Sequence, residues 1–321
     1  MPVRRKRRHT VVITGIGSRL GRRLTRALHG DYRIIGIDPR GAKHMPKDVT
    51  VHPIDLRRRR AEDIFRRNQI DAIVHLNPEP EWKGRAIEHR NLAVLGTHRV
   101  LDFSQKHDVP KVVLLSSANI YGPSPDNNQF LTEEAPLLAG QRFPTMRDLV
   151  EVDMYSQSFF WRHPEIDTVI LRPVNIVGRL NNSASRYLQL RSVPTLLGFD
   201  PMVQVMAPDD VIHAIRLSLK PGVRGIFNVA GPGPLALSEL IRRVGRPRLP
   251  VPEGLARFTI GALAGIGASA VPSAEIDYLK YICMVDDHRA RQTLGWAPTL
   301  TLDQTLEPLR GVTSTNAQPT F

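Results

Sequence analysis

Cysteine is almost missing from this sequence of 321 residues, which contains only Cys283. A single cysteine excludes an internal disulfide framework and fits a reducing compartment. No uncharged apolar run is long enough for a membrane span, and the nearest, residues 258–271, is short and rich in glycine. The sequence also shows no secretory signal after its basic start, no internal repeat and no spacing typical of metal ligands. We expect a cytoplasmic globular protein with no metal site.

Acidic residues are outnumbered: 31 aspartates and glutamates stand against 44 lysines and arginines, for a net charge of +13. Two runs concentrate the excess, at residues 4–8 and 57–60. They are either a surface for nucleic acid or an anionic membrane, or simply a tail and a solvated loop. No aromatic residues are interleaved with them, which argues against stacking on single-stranded bases. Nucleic acid is therefore not expected, whereas peripheral attachment at the inner membrane surface stays open.

The start of the chain contains a strand, a glycine turn and a helix. Residues 10–14 (TVVIT) are β-branched and apolar, as in a buried parallel strand, and residues 22–29 have helical periodicity. Three glycines mark the turn: Gly15, Gly17 and Gly21. Such a turn lets the backbone approach a pyrophosphate, which the free N–H groups of the helix then bind. The alternative is a structural turn without a ligand.

The second strand, residues 33–38 (RIIGID), supports the first interpretation. It ends in Asp38, where dinucleotide sites have a carboxylate that accepts hydrogen bonds from ribose. Because this carboxylate repels a 2′-phosphate, the sequence predicts NAD as the cofactor, with NADP less favoured. Arg40 and Lys43 lie just beyond and soften that preference. The alternative role for Asp38 is to cap the turn at Pro39.

Strands and helices alternate along most of the chain, which predicts an α/β fold: a doubly wound parallel sheet of the Rossmann type, with a small C-terminal α/β substrate domain. The predicted strands lie at residues 10–14, 33–38, 49–53, 71–76, 111–117, 168–172 and 225–229. We assign residues 9–178 plus 209–230 to the dinucleotide-binding domain and residues 179–208 plus 231–310 to the substrate-binding domain. Residues 1–8 are then a basic tail and residues 311–321 a disordered tail.

Motifs in the same order over nearly the whole chain resemble the extended short-chain dehydrogenase/reductases, the NAD-dependent epimerase/dehydratase family. They are TGIGSRLG at 14–21, Asp38, Asp55-Leu56, HLNP at 75–78, Asn91 with Gly96-Thr97, SSANIYG at 116–122, LRPVNIVG at 171–178, residues 208–211, FNVAG at 227–231 and LGWAP at 294–298.

This resemblance implies roles for particular residues. The cofactor would be bound by Gly15, Gly17, Ser18, Gly21, Asp38, Asp55, Leu56, Leu76, Asn77 and Pro78. Of these, Asp55 and Leu56 would flank adenine, and residues 76–78 would run beside the nicotinamide half. Ser117 would be the hydroxyl that polarises the substrate, with Asn119 and Asn175 also on the substrate side.

Two departures from the family pattern concern the cofactor and the chemistry. Ser18 stands where the family has its second glycine, so we expect weaker or rearranged cofactor binding. The family's Tyr-x-x-x-Lys pair, in which the lysine lowers the tyrosine pKa for proton transfer, occurs nowhere in this sequence. Aligning Glu151 with the acid usual on that helix puts Phe143 at the tyrosine place and Arg147 at the lysine place. Phenylalanine cannot titrate, whereas Arg147 still offers a fixed charge to the nicotinamide ribose.

A third departure concerns the substrate. Members that act on nucleotide sugars have an arginine for the diphosphate shortly before the paired acids, here Asp209-Asp210. This chain has the apolar stretch MVQVM at 202–206 instead. Arg186 and Arg191 are the candidates to replace that arginine, but the local character favours an apolar or uncharged substrate.

Three hypotheses stay open. The chain is an NAD-dependent epimerase/dehydratase or oxidoreductase with an altered proton relay through Ser117, Asp148 or Asp153. Alternatively, it is a catalytically degenerate NAD(H)-binding scaffold or redox-state reader. The third hypothesis is a basic membrane- or nucleic-acid-associated protein on the same fold. The expected partners are the dinucleotide cofactor and a small-molecule substrate, and a homodimer stays open.

Overall fold

The computed structural model describes residues 8–76, 86–180, 182–258 and 273–311, and the side chains of residues 86–91 and 273–275 are not described. The predicted cofactor residues Asn77 and Pro78 lie outside these ranges, as do residues 1–7 of the basic tail, residues 259–271 of the apolar stretch and the C-terminal tail from residue 312. Within the described ranges, no helix is long and apolar enough to cross a membrane.

The described helices and strands alternate through most of the chain. In order they are β1 (Thr10–Thr14), α1 (Arg19–Leu28), β2 (Arg33–Ile37), β3 (Thr50–His52), α2 (Arg59–Arg67), β4 (Ala72–Leu76), α3 (Ala86–Lys106), β5 (Lys111–Leu115), α4 (Ala139–Arg142), α5 (Arg147–Arg162), β6 (Asp167–Pro173), β7 (Asn175–Ile176), α6 (Ser183–Leu188), β8 (Val193–Leu196), β9 (Met202–Val203), β10 (Val205–Met206), α7 (Pro208–Ser218), β11 (Gly225–Val229), β12 (Leu235–Ala236), α8 (Leu237–Val244), β13 (Arg248–Val251), α9 (His288–Leu294) and α10 (Leu302–Leu306).

Seven of the strands form one sheet in the order β11-β6-β5-β4-β1-β2-β3, and every neighbouring pair is parallel. The chain runs outward from β1 to β3, and then from β4 to β11 on the other side. This reversal leaves a crevice between β1 and β4 at the carboxyl ends of the strands, where ligands of doubly wound sheets bind. The predicted fold class is confirmed, including the return of residues 225–229 to the sheet beside β6.

Side chains alternate between the two faces of the sheet, so β1 contributes to two separate cores. Val11 and Ile13 pack with Leu24 of α1 on one face, and Val12 packs with residues of α2 and α3 on the other. Helix α1 begins at Arg19, three positions before the predicted start, because the Ser18 side chain caps it.

Three short strand pairs lie outside the main sheet: β7 with β10, β8 with β13, and β9 with β12. A separate buried cluster, which includes Val193, Leu240 and Leu306, accompanies them. Leu294 and Trp296, near the C-terminus, pack in the core of the main sheet. The division of the chain into two domains stays a prediction.

Candidate functional site

The turn after β1 brings several backbone segments into contact. Gly15 has a φ of +69°, and its N–H donates to the Ile37 carbonyl at 2.9 Å. A Cβ at Gly15 would lie 2.8 Å from the carbonyl oxygen of Leu76, and a Cβ at Gly21 would lie 2.5 Å from that of Gly15. These glycines are therefore required by the packing of β1 against its neighbours, which places the start of α1 at the carboxyl edge of the sheet.

The start of α1 is suited to an anion. Ser18 Oγ accepts a hydrogen bond from the Gly21 N–H at 2.9 Å and so caps the helix. Because the Ser18 hydroxyl acts as an acceptor in this cap, its own hydrogen can still be donated to a ligand. Helix geometry leaves the N–H groups of Arg19 and Leu20 without an intrahelical acceptor, and the first turn contains no acidic residue. A pyrophosphate here would meet these donors and the positive end of the helix dipole.

Asp38 follows β2 and lies against the glycine turn. Its side chain is only 4% exposed, and its Oδ2 accepts from the Gly17 N–H at 3.0 Å while Oδ1 accepts from the Arg40 N–H at 2.9 Å. The carboxylate thus caps the turn that follows it and is held in place by backbone amides. Because a carboxylate oxygen has two lone pairs, each oxygen retains acceptor capacity for a ribose hydroxyl.

Of the residues predicted at adenine and nicotinamide, Asp55 and Leu56 follow β3, and Leu76 ends β4. Asp55 binds the Arg57 guanidinium through two bonds of 3.0 and 2.6 Å. Burial opposes ionisation of Asp55, but the hydrogen bonds and charge of Arg57 outweigh it and hold the carboxyl pKa below its usual range. Leu56 packs on the core, and Leu76 is buried at the end of β4. Contact of these residues with the cofactor stays a prediction.

A buried histidine, whose hydrogen bonds sequence reasoning missed, lies beneath the same edge. His75 on β4 has its Nδ1 2.6 Å from Thr14 Oγ1 and its Nε2 2.9 Å from Thr97 Oγ1. The Thr97 hydroxyl donates to the Ala93 carbonyl at 2.7 Å; it therefore accepts from Nε2–H, and the Thr14 hydroxyl donates to Nδ1. Complete burial lowers the pKa of His75 to about 4. His75 is a neutral link between β1, β4 and α3.

The predicted substrate side begins where β5 ends. Ser117 is half-buried and caps the 3₁₀ helix Ala118–Tyr121, with its Oγ accepting from the Asn119 N–H at 3.2 Å. The Asn119 side chain donates to Oδ1 of Asn175 on β7 at 3.1 Å. Three predicted substrate residues are therefore together. The fourth, Arg186, is exposed on α6.

Phe143 and Arg147 lie on different elements. Phe143 follows α4 and Arg147 begins α5, with the 3₁₀ turn Pro144–Met146 between them. Arg147 is exposed, and its Nε donates to the Gly140 carbonyl at 3.3 Å. Phe143 is only 1% exposed and packs in an apolar cluster with Ile120, Ala139 and Val150. The position that the resemblance assigns to a catalytic tyrosine therefore holds an apolar, buried ring.

A tyrosine that sequence reasoning passed over lies against Phe143. Tyr278 belongs to the 3₁₀ helix Ser273–Leu279, and its ring centroid is 4.9 Å from that of Phe143. Its hydroxyl donates to the Asn119 carbonyl at 2.9 Å. Tyr278 therefore brings a hydroxyl to the predicted substrate side. No sequence signal connects residues this far apart in the chain.

The structure excludes Asp153, one of the residues considered for a proton relay. Its side chain and that of Arg172 are both 0% exposed, and two hydrogen bonds of 2.6 and 3.1 Å join them. Arg172 also donates to the Tyr121 hydroxyl at 2.8 Å, and burial raises the pKa of Tyr121 to about 12. These groups link α5 and β6 beneath the site and have no access to a substrate.

The stretch at 202–206 has one polar side chain, and it is used inside the protein. Gln204 makes two hydrogen bonds with the backbone of Val285, at 3.0 and 2.8 Å. The paired acids that follow also bind groups of the protein. Asp209 forms an ion pair with Arg23 at 2.9 Å, and the Asp210 carboxylate accepts from the N–H of Thr299 at 2.7 Å. The polar side chains of this segment are therefore used within the protein, and the apolar or uncharged substrate stays a prediction.

Comparisons with known protein sequences point to one family. A model of the NAD dependent epimerase/dehydratase family matches residues 11–230. An uncharacterized protein of Mycobacterium tuberculosis is 31% identical over 258 residues, which are 77% of this chain and 67% of that protein. The UDP-glucose 4-epimerase of Dictyostelium discoideum is 29% identical over 194 residues, which are 54% of this chain and 55% of the enzyme.

Solved structures share the fold over almost the whole chain. UDP-glucose 4-epimerase from Bifidobacterium longum, in complex with NAD⁺ and UDP, has a TM-score of 0.72 at 20% identity and covers 96% of this chain and 98% of its own. dTDP-glucose 4,6-dehydratase from Bacillus anthracis, in complex with NAD, has a TM-score of 0.72 at 16% identity, covering 94% and 95%. The NAD in both structures agrees with the predicted cofactor.

Proposed function

Because this chain belongs to the NAD-dependent epimerase/dehydratase family, we propose that it binds NAD at the carboxyl edge of its sheet without the tyrosine-dependent proton transfer of that family. The observation that carries this proposal is the buried Phe143, whose ring lies in an apolar cluster. The cofactor part is supported by the start of α1, which has no acidic residue in its first turn, and by Asp38, which is held against the glycine turn. The chain is then an NAD(H)-binding scaffold or redox-state reader.

Different residues would bind the different parts of NAD. The N–H groups of Arg19 and Leu20 and the Ser18 hydroxyl would bind the pyrophosphate, and Asp38 would accept from the adenosine ribose. Bound NAD supplies a hydride acceptor. On the substrate side, Ser117 can donate to a carbonyl oxygen, but its hydroxyl cannot deliver a proton at neutral pH without a base beside it.

Calorimetric titration tests the cofactor part of the proposal. NAD should bind more tightly than NADP, because the buried Asp38 carboxylate disfavours a 2′-phosphate. Thermal shift measurements with NAD and NADH then show whether one redox state is preferred, as a reader requires. Tighter binding of NADP, or binding of neither nucleotide, would overturn the cofactor assignment.

Turnover assays on UDP- and dTDP-sugars test the catalytic part. The wild type should show no epimerase or dehydratase turnover. The double variant F143Y/R147K should gain activity, since a general acid/base contributes about a hundred- to ten-thousand-fold. Because Tyr278 covers Phe143, the pair should gain more in a Tyr278→Ala background, and F143Y alone is the matched control. Wild-type turnover that survives Ser117→Ala would place the proton relay outside the residues named here.

A second candidate is an oxidoreductase with an altered relay that acts on an apolar or uncharged carbonyl compound. The cluster of Ser117, Asn119 and Asn175 favours it, because the half-buried Ser117 hydroxyl and the Tyr278 hydroxyl both bind the backbone of Asn119. NADH consumption with sterol-like or lipid-like carbonyl compounds tests it. Activity that disappears in Ser117→Ala would support this candidate and overturn the non-catalytic proposal.

A further inference from the structure

The amino edge of the sheet contains a cavity of about 500 Å³. Arg33 at the start of β2 and Arg67 at the end of α2 line it together with Arg8, and Thr10 and Asp48 complete this part of its wall. These residues lie where strands begin and helices end. The cavity is therefore at the opposite edge from Ser18 and Asp38, and it is separate from the proposed NAD site.

The side chains that line the cavity carry a net positive charge. Among the described residues, Asp48 has the only carboxylate in the lining, and it lies 3.9 Å from Arg8 and 3.3 Å from His29. Arg33 donates to the Asn68 side chain at 3.1 Å, and Arg67 forms no hydrogen bond or ion pair within the described part of the chain. The carboxyl ends of α1 and α2 each carry about half a negative charge. Three guanidinium groups in the lining thus stand against one carboxylate there, while a second carboxylate, that of Asp71, lies beside Thr10 outside the lining.

A buried hydroxyl lies in the same wall. Thr10 is 1% exposed, and among the described residues its Oγ1 has no hydrogen-bond partner. Its backbone N–H, in contrast, donates to the Asp71 carboxylate at 2.6 Å. Buried side-chain hydroxyls nearly always have a partner, so this hydroxyl lacks an acceptor. Because Oγ1 is covered in the structure, the wall above it must shift before a ligand oxygen can accept from it.

We propose that this cavity binds a phosphate group, with Arg67, Arg33 and Arg8 around it and the Thr10 hydroxyl beneath. Guanidinium groups match phosphate oxygens in charge and in their paired N–H geometry. The volume lies in the range of small-molecule sites and suits a phosphate compound up to the size of a mononucleotide. The same phosphate chemistry is offered by a free metabolite and by a lipid headgroup.

Titration of the full chain with inorganic pyrophosphate at physiological salt tests the proposal. Arg67→Gln should weaken binding by about tenfold or more, since it removes a charge-assisted contact. Arg66→Gln is the matched control, because this neighbouring arginine is outside the cavity and pairs with Asp63. Thr10→Val should weaken binding while leaving the melting temperature equal or higher. Equal losses in the two arginine variants, or no binding of pyrophosphate, would overturn the proposal.

Two further experiments, competition with NAD and cosedimentation with lipid vesicles, locate the binding site and identify the source of the phosphate. Pyrophosphate binding that persists at saturating NAD supports a site apart from the glycine turn, whereas binding that NAD abolishes overturns it. Cosedimentation with phosphatidic acid vesicles that Arg67→Gln removes and Arg66→Gln retains assigns the phosphate to a lipid headgroup. Pyrophosphate binding without cosedimentation assigns it to a free phosphate compound.

Discussion

The two halves of the carboxyl edge are built in different ways. In the cofactor half, backbone groups provide most of the arrangement: the close contacts of Gly15 and Gly21 and the amides that hold Asp38. In the substrate half, where the substrate residues are predicted, side chains provide the functional groups: the Ser117 hydroxyl accepts from the Asn119 N–H, and the Tyr278 hydroxyl donates to the Asn119 carbonyl. Phe143 is buried beside Tyr278. A backbone arrangement tolerates a change such as glycine to Ser18, because the new side chain becomes a helix cap. A side-chain arrangement loses its chemistry when one functional group is missing.

The largest effect is expected when a substitution distorts the backbone of the cofactor half. The glycine turn alone suggests that Gly15→Val blocks only the pyrophosphate and leaves the sheet folded. The structure contradicts this expectation, because Gly15 has a φ of +69° and its Cβ would lie 2.8 Å from the Leu76 carbonyl oxygen. We expect loss of NAD binding together with several kcal/mol of stability, about 1–3 of it from backbone strain. Thermal denaturation and NAD titration measure both.

Gly30→Val is the control for that experiment, since a Cβ there meets nothing within 4 Å. It should leave NAD binding unchanged and lower the melting temperature only slightly. A folded Gly15→Val protein with unchanged NAD affinity would show that the cofactor binds elsewhere.

The second prediction tests how strongly a buried pair of side chains beneath the substrate half stabilises the fold. Asp153→Ala leaves Arg172 as an unpaired, fully buried charge, and it should cost about 3–5 kcal/mol of unfolding free energy. Asp209→Ala removes a similar pair with Arg23, but one whose side chains are 52% and 39% exposed, and it should cost at most about 1 kcal/mol. Urea denaturation measures both variants. Similar losses in the two would contradict the role assigned to the buried pair.

The third effect is a pH dependence of the unfolding free energy, which we assign to His75 beneath the cofactor half. The pKa of His75 is lowered to about 4 in the folded chain from an ordinary value of 6.5, so the unfolded chain takes up the proton first on acidification. The contribution of His75 is complete above about pH 6.5 and is lost progressively towards pH 4, by about 3 kcal/mol. Urea denaturation of the wild type and of His75→Gln over this range isolates it. A difference between them that does not vary with pH would contradict the assignment.

The smallest effect is expected outside both halves. Deletion of residues 1–8 should leave NAD binding unchanged and stability within about 0.5 kcal/mol, since Arg8, the part of this tail that the structure describes, is exposed and contributes little. Calorimetry and thermal denaturation check this. If deletion of residues 1–7, which keeps Arg8 in the cavity, releases the chain from anionic vesicles at physiological salt, that result would instead favour a membrane role for the basic tail.

The sequence by itself determined the features that depend on neighbouring residues. β-Branched runs, helical periodicity and glycine spacing predict the strands of the sheet, the turn at Gly15 and the acid at the end of β2, because each follows from local backbone preference. The absence of a Tyr-x-x-x-Lys pair is likewise visible in the sequence alone.

Tertiary structure decided which side chains meet. The contact of Tyr278 with Phe143, the pairing of Asp153 with Arg172 and the link of His75 to Thr14 and Thr97 each join residues from different elements. Local pattern carries no information about such contacts, since they arise only when helices and strands distant in the chain pack together. The same holds for burial, which removed Asp153 from the proton relay and gave His75 its lowered pKa.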